Sequence, residues 1–104
     1  MTVYVDALFV QKARGSAAAL VGRRNGHQWC HMLADTEEEL HSMALRIGMK
    51  RAWFQNANPL TPHYDLTPGR RAAAVAAGAV EITKRQLVDI IRARRAALQS
   101  TETP

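Results

Sequence analysis

Cysteine is nearly missing from this chain. Cys30 stands alone among 104 residues, so the chain can close no internal disulfide and has no Cys-x-x-Cys pair for structural zinc or redox chemistry. Long apolar runs are missing as well. Nothing approaches the roughly 20 apolar residues that a membrane span needs, and the opening Met1-Thr2-Val3-Tyr4-Val5-Asp6 reads neither as a signal peptide nor as a transit segment. The expected location is the cytoplasm, with no membrane partner. Large aromatic side chains are few, with two Trp, two Tyr and two Phe, and alanine supplies much of the 47% apolar fraction. The resulting core is thin, and a homodimer is one arrangement that would cover more of it.

Acids are outnumbered, nine against 14 Lys and Arg, giving a formal charge of +5 and a pI near 10.1. The excess is uneven. From Pro68 to Gln99 seven basic residues face only Glu81 and Asp89. Such a stretch favours polyanions or a phosphate-bearing ligand, although it also serves as an ordinary solvated surface.

The pattern of the chain predicts a small α/β domain over residues 1–99, with a disordered tail at 100–104 and a mobile, basic, glycine-containing excursion at 9–26. The β-branched and aromatic run from Val3 to Leu8 suits a buried strand, and its one charge, Asp6, requires a partner or a function there. Asn25-Gly26 signals a hairpin turn, with His27 to Ala34 as the following strand. Thr36 with Glu39 forms a capping box that opens a helix, and Gly48 closes it. Met49 to Gln55 reads as another strand. Thr67-Pro68 opens a second helix and Gly78 ends it, Ala79 to Ile82 follows as a short strand, and Thr83 with Gln86 starts the last helix, Lys84 to about Leu98. Arg94 falls within that helix's apolar face, where it must snorkel or find a partner. Alternation of strand and helix implies a largely parallel, short-stranded sheet covered by about three helices.

Three groups of residues can carry chemistry. Asp6, His31, Asp35, His63 and Asp65 are carboxylates and imidazoles at strand ends or in loops, the groups that move protons or hold a divalent ion. Asp6, Asp35 and Asp65 would be the ligands for Mg²⁺ or Mn²⁺. In the purely structural reading, Asp35 caps a helix, His31 is a hydrogen-bonded sheet residue and Asp65 makes an Asx turn. The second group is Thr67-Pro68-Gly69-Arg70-Arg71. Two arginines in a first helical turn oppose the dipole, which a bound phosphate at Thr67, Gly69, Arg70 and Arg71 would offset, as would pairing of Asp65 with one of them. The third is Trp53-Phe54-Gln55 after Lys50-Arg51, aromatics beside basic residues that either stack on bases or belong to the core. His41, beside Glu37 and Glu38, reads as a surface residue. No Ser-His-Asp order, Gly-rich phosphate loop or Cys-His pair is present.

Taken in order, Val3-Tyr4-Val5-Asp6, Cys30-His31-Met32-Leu33-Ala34-Asp35-Thr36, Glu39-Leu40-His41, Arg46-Ile47-Gly48, Trp53-Phe54-Gln55, His63-Tyr64-Asp65-Leu66 and Arg71-Ala72 through Gly78-Ala79 resemble the domain-of-unknown-function family DUF4031. The resemblance implies a compact intracellular domain of bacteria and their phages, and it carries no activity, cofactor or site residue. Three functional readings follow from the residues: binding of a phosphate-bearing ligand, either nucleic acid or nucleotide; metal-assisted hydrolysis of a phosphodiester; and a non-enzymatic interaction protein of phage or host.

Overall fold

The computed structural model describes residues 2–10 and 28–102. Among these, β1 (Val3–Val5), β2 (Phe9–Val10), β3 (Gln28–Ala34), α1 (Glu37–Arg46), a 3-10 turn (Arg51–Trp53), β4 (Tyr64–Leu66), α2 (Pro68–Ala76), β5 (Val80–Glu81) and α3 (Lys84–Glu102) follow one another. The Asn25-Gly26 hairpin, and the basic excursion from residue 11 onward, lie outside the described residues.

Local signals set the helix ends. Thr36 Oγ1 accepts from the Glu39 N–H, and Gly48 follows α1 with φ of 81°. Thr67 Oγ1 accepts from the Arg70 N–H at the start of α2, and Gly78 follows its end with φ of 110°. Thr83 and Gln86 exchange hydrogen bonds, each backbone N–H donating to the other's side-chain oxygen at 2.8 and 3.1 Å. Both glycines adopt a left-handed conformation that costs other residues about 1 kcal/mol or more.

The sheet is mixed and mostly antiparallel, which corrects the expectation of a largely parallel one. β3 is central and pairs antiparallel with β1, β2 and β4; only β1 and β5 run parallel. The alternation of strand and helix is real, but β3 and β4 are adjacent and opposed, joined by α1, the 3-10 turn and a proline-containing loop. Only β4–α2–β5 keeps the parallel crossover geometry, with α2 spanning β3 and β1. Met49 to Gln55 is likewise no strand. It holds the 3-10 turn, and Gln55 alone bridges to His63.

A bulge interrupts the β1–β2 edge. Val5 pairs with Met32 and Phe9 with Trp29, so Asp6, Ala7 and Leu8 stand opposite Cys30 and His31 alone. The extra residue returns Phe9 to the face of the sheet that His31 occupies.

Strand alternation divides the sheet into two faces. Val3, Val5, Cys30, Met32, Ala34, Tyr64 and Leu66 form the apolar face, packed against Leu40, Met43 and Ala44 of α1 and Ala74 of α2. Burial pushes the Cys30 thiol up to about 12, so it is neutral and serves as a small apolar residue. The opposite face carries Tyr4, Leu33, His31 and Asp65 by the same register. α3 is tied to the fold by Arg94, whose guanidinium donates to the carbonyls of Leu60 and Ala34 at 3.0 and 2.7 Å. Arg94 thus resolves its place in an apolar stripe by satisfying two backbone acceptors. Among the described residues no helix is long and apolar enough to cross a membrane.

Candidate metal centre

Four of the five acid and imidazole candidates converge on the second face of the sheet. His31 and Asp65 are directly opposed across β3 and β4, and His63, two residues before Asp65, falls on the same face. One ligand atom from each of His31, His63 and Asp65 lies within 4.8 Å of the others. The His31 and His63 rings meet edge to face with centroids 5.1 Å apart.

Asp6 sits beneath this group and is 5% exposed. One carboxylate oxygen accepts from the His31 backbone N–H at 2.6 Å, and the other lies 2.7 Å from His31 Nδ1. The bulge makes this possible, because the Asp6 side chain takes the ladder position that a backbone carbonyl would otherwise fill. A carboxylate only accepts, so the proton of this contact sits on His31 Nδ1, and Nε2 is the ring nitrogen left free of Asp6. His63 is fixed the same way, with Nδ1 2.7 Å from the Thr61 carbonyl oxygen. Gln55 Nε2 donates to Asp65 Oδ2 at 2.6 Å, which leaves Oδ1 facing His63 Nε2 at 3.4 Å. Phe9 stacks on His31 at 4.9 Å and covers one side of its ring.

Each member of the trio therefore has its own orienting partner: Asp6 for His31, the Thr61 carbonyl for His63 and Gln55 for Asp65. His63 Nε2 and Asp65 Oδ1 face each other, with a His31 ring nitrogen within 4.8 Å of both residues' ligand atoms. A positive charge among them, a proton on His63 or a metal ion, would be favoured by the neighbouring carboxylate. The titration directions favour the proton. The hydrogen bond with Asp65 raises the His63 pKa against the opposing effect of burial. Burial pushes the Asp65 carboxyl up, but hydrogen bonds from His63 and Gln55 outweigh it and hold the group below its ordinary value. The geometry also suits an ion. Ligand atoms about 2.1 Å from a tetrahedral centre are separated by roughly 3.4 Å, close to the observed His63–Asp65 spacing.

A family model described as "Protein of unknown function (DUF4031)" matches residues 3–94. The chain belongs to the DUF4031 family. No curated protein and no solved structure matches it. In this DUF4031 chain the matched span holds the whole trio and its orienting partners.

Asp35 is not brought to the group. Its carboxylate accepts from the Thr2 N–H at 3.0 Å and the Tyr4 hydroxyl at 2.8 Å, and its own N–H donates to the Thr2 carbonyl. Along the antiparallel β1–β3 ladder it lies about four residues, or roughly 13 Å, from the position facing Asp6. Of the expected set Asp6, Asp35 and Asp65, only Asp65 belongs to the close group that it forms with His31 and His63. Asp35 lies at the wrong end of the ladder, and Asp6 has both oxygens committed to His31.

The Thr67–Arg71 segment is organised around protein partners. Thr67 accepts from the first turn of α2, and a Cβ on Gly69 would meet nothing within 4 Å. Arg71 Nε donates to the Asp6 carbonyl and Nη1 to Glu81, both at 2.8 Å. It clamps the bulge that holds Asp6. Arg70 goes the other way, donating to the Gly48 carbonyl at 3.3 Å with its guanidinium 5.5 Å from the Trp53 ring centre. The pairing of Asp65 with an arginine is replaced by Gln55 and His63.

Sequence reasoning passed over Thr61 and Phe9, and placed Gln55 in the aromatic group rather than beside Asp65. Gln55 and Thr61 act through a pairing between residues eight apart and through a backbone carbonyl, neither of which has a side-chain signature. Phe9 reaches His31 only through the bulge. His41 is also corrected from a surface residue: it is partly buried, with Nδ1 2.9 Å from the Tyr64 hydroxyl and its ring edge-on to Phe54.

Proposed function

We propose that this domain is a metal-assisted hydrolase of a phosphodiester, with His31, His63 and Asp65 as ligands to one divalent ion. The observation that carries the reading is that all three ligands are separately oriented, by Asp6, the Thr61 carbonyl and Gln55. Metal sites are built this way, because the outer partners fix the tautomer and aim of each ligand. Three protein ligands leave coordination positions for water and substrate, the arrangement of catalytic rather than structural sites. Two imidazoles with one carboxylate suit Mn²⁺, Zn²⁺ or Fe²⁺ better than Mg²⁺, which prefers oxygen.

An ion held there would lower the pKa of a water and polarise a phosphoryl oxygen. In the reaction the water oxygen bonds to phosphorus, the P–O ester bond breaks with its electron pair leaving on the ester oxygen, and that oxygen gains a proton. The proton lost by the water passes to bulk solvent, which the partly exposed His31, His63 and Asp65 side chains adjoin. The formal charge of +5 favours an anionic substrate. The test is hydrolysis of bis(p-nitrophenyl) phosphate by metal-free protein resupplied with Mn²⁺, Zn²⁺ or Mg²⁺. Turnover restored by Mn²⁺ or Zn²⁺ and absent from His63→Ala supports the reading. Equal turnover by wild type and His63→Ala ends it.

A further inference from the structure

The Arg51–Trp53 turn presents a patch that the metal centre does not use. Trp53 is 43% exposed, with Lys50 Nζ and the Arg70 guanidinium each 5.5 Å from its ring centre. Arg51 lies 5.1 Å from the neighbouring Phe54 ring. Among the described residues none of these three cations has an acidic partner, whereas Arg71, His63 and Arg85 each have one. Two cations at an exposed indole and a third at the adjoining Phe54, none with an acidic partner, call for an anion that also offers a flat aromatic surface.

We propose that Lys50, Arg51, Trp53 and Arg70 hold a single-stranded nucleic acid for hydrolysis at the metal centre; this rests on the hydrolase reading above. A nucleobase stacked on Trp53 displaces only exposed cation–π contacts, which are weaker than base–aromatic stacking. The released Lys50 and Arg70 then meet the flanking phosphates. The patch is tied to the centre by the chain itself. Gln55, two residues or roughly 7 Å of extended backbone beyond Trp53, exchanges two 2.9 Å backbone hydrogen bonds with His63 and holds Asp65. A strand of several nucleotides crossing this sheet edge would be long enough to span both. Duplex is disfavoured because its bases are already stacked on one another.

The two tryptophans make the test direct, since Trp29 is buried and Trp53 is the exposed one. Titration of the full chain with a 12-nucleotide oligothymidylate at low salt should quench the emission. Trp53→Leu should remove the quenching and weaken binding, followed by anisotropy of a labelled strand, at least ~5-fold, and Trp53→Phe should restore most of the affinity. Lys50→Ala/Arg51→Ala/Arg70→Ala should flatten the log–log salt dependence by about two. Unchanged affinity in Trp53→Leu, or equal quenching by polyglutamate, overturns the proposal. Metal uptake by the wild type separates it from the hydrolase reading. Oligonucleotide binding that persists while metal uptake is absent from the wild type keeps the strand site and removes the hydrolase. Metal-dependent hydrolysis of the small diester without oligonucleotide binding does the reverse.

Discussion

The two faces of the sheet use the same strands for opposite purposes. On one face Cys30, Met32, Tyr64 and Leu66 are fully buried against α1 and α2 and hold the fold together by excluding water. On the other, His31, His63 and Asp65 come from the same strands or the residue adjoining them, yet they stay partly exposed and bring polar atoms within 4.8 Å of one another. The first face is stable because every apolar group has a neighbour. The second holds a close group of imidazoles and a carboxylate, and the buried Asp6 at the bulge orients His31 within it.

Substitutions should separate the faces. The largest effect belongs to the ligands: His31→Ala/His63→Ala should lower Mn²⁺ or Zn²⁺ affinity more than 100-fold by isothermal titration, and Asp6→Asn, acting only through His31, about 10–100-fold. Asp35→Asn should leave affinity unchanged. On the apolar face, Leu66→Ala should cost about 2–5 kcal/mol in urea unfolding. Metal affinity should be unaffected in the fraction still folded. If Leu66→Ala abolishes metal binding while folded, the faces are not independent.

The neighbouring arginines sharpen the contrast. Arg71→Ala should destabilise by about 1.5–3 kcal/mol, because the Asp6 carbonyl loses a charged donor. Its link to the exposed Glu81 contributes little. Arg70→Ala should cost under about 1 kcal/mol, since it loses one cation–π contact and one long hydrogen bond.

The metal-free His63–Asp65 pair gives a pH signature. The share from His63 is present below the ordinary imidazole pKa and is lost as pH rises through its raised value. The share from Asp65 is present above the ordinary carboxylate pKa and is lost as pH falls through its lowered value. The stability difference between wild type and His63→Gln should therefore peak at about pH 5. A difference flat from acid to neutral pH would contradict the pair.

How much of this could be read from the chain depended on the range of each interaction. Thr36, Thr67 and Thr83 mark helix starts, and Gly48 and Gly78 helix exits, because each acts within four residues. Strand direction was misread because it depends on where α1 and the loop at 55–63 deliver β4, a matter of distant packing. At the centre, Asp6, His31, His63 and Asp65 were recognisable as chemistry. Their convergence was not, since it depends on the cross-strand register of β3 with β4 and on a one-residue bulge. Asp35 shows the converse: adjacent to the right strand, it lies at the wrong end once β1 and β3 run antiparallel.

The central claim is that His31, His63 and Asp65 bind one ion together. It is tested most directly by isothermal titration of metal-free protein with Zn²⁺ and Mn²⁺, comparing the wild type with His31→Ala/His63→Ala and with His41→Ala as a control. A single one-to-one site in the wild type and in His41→Ala, lost in the double variant, is the predicted result. Equal affinity and stoichiometry in all three proteins would contradict the account.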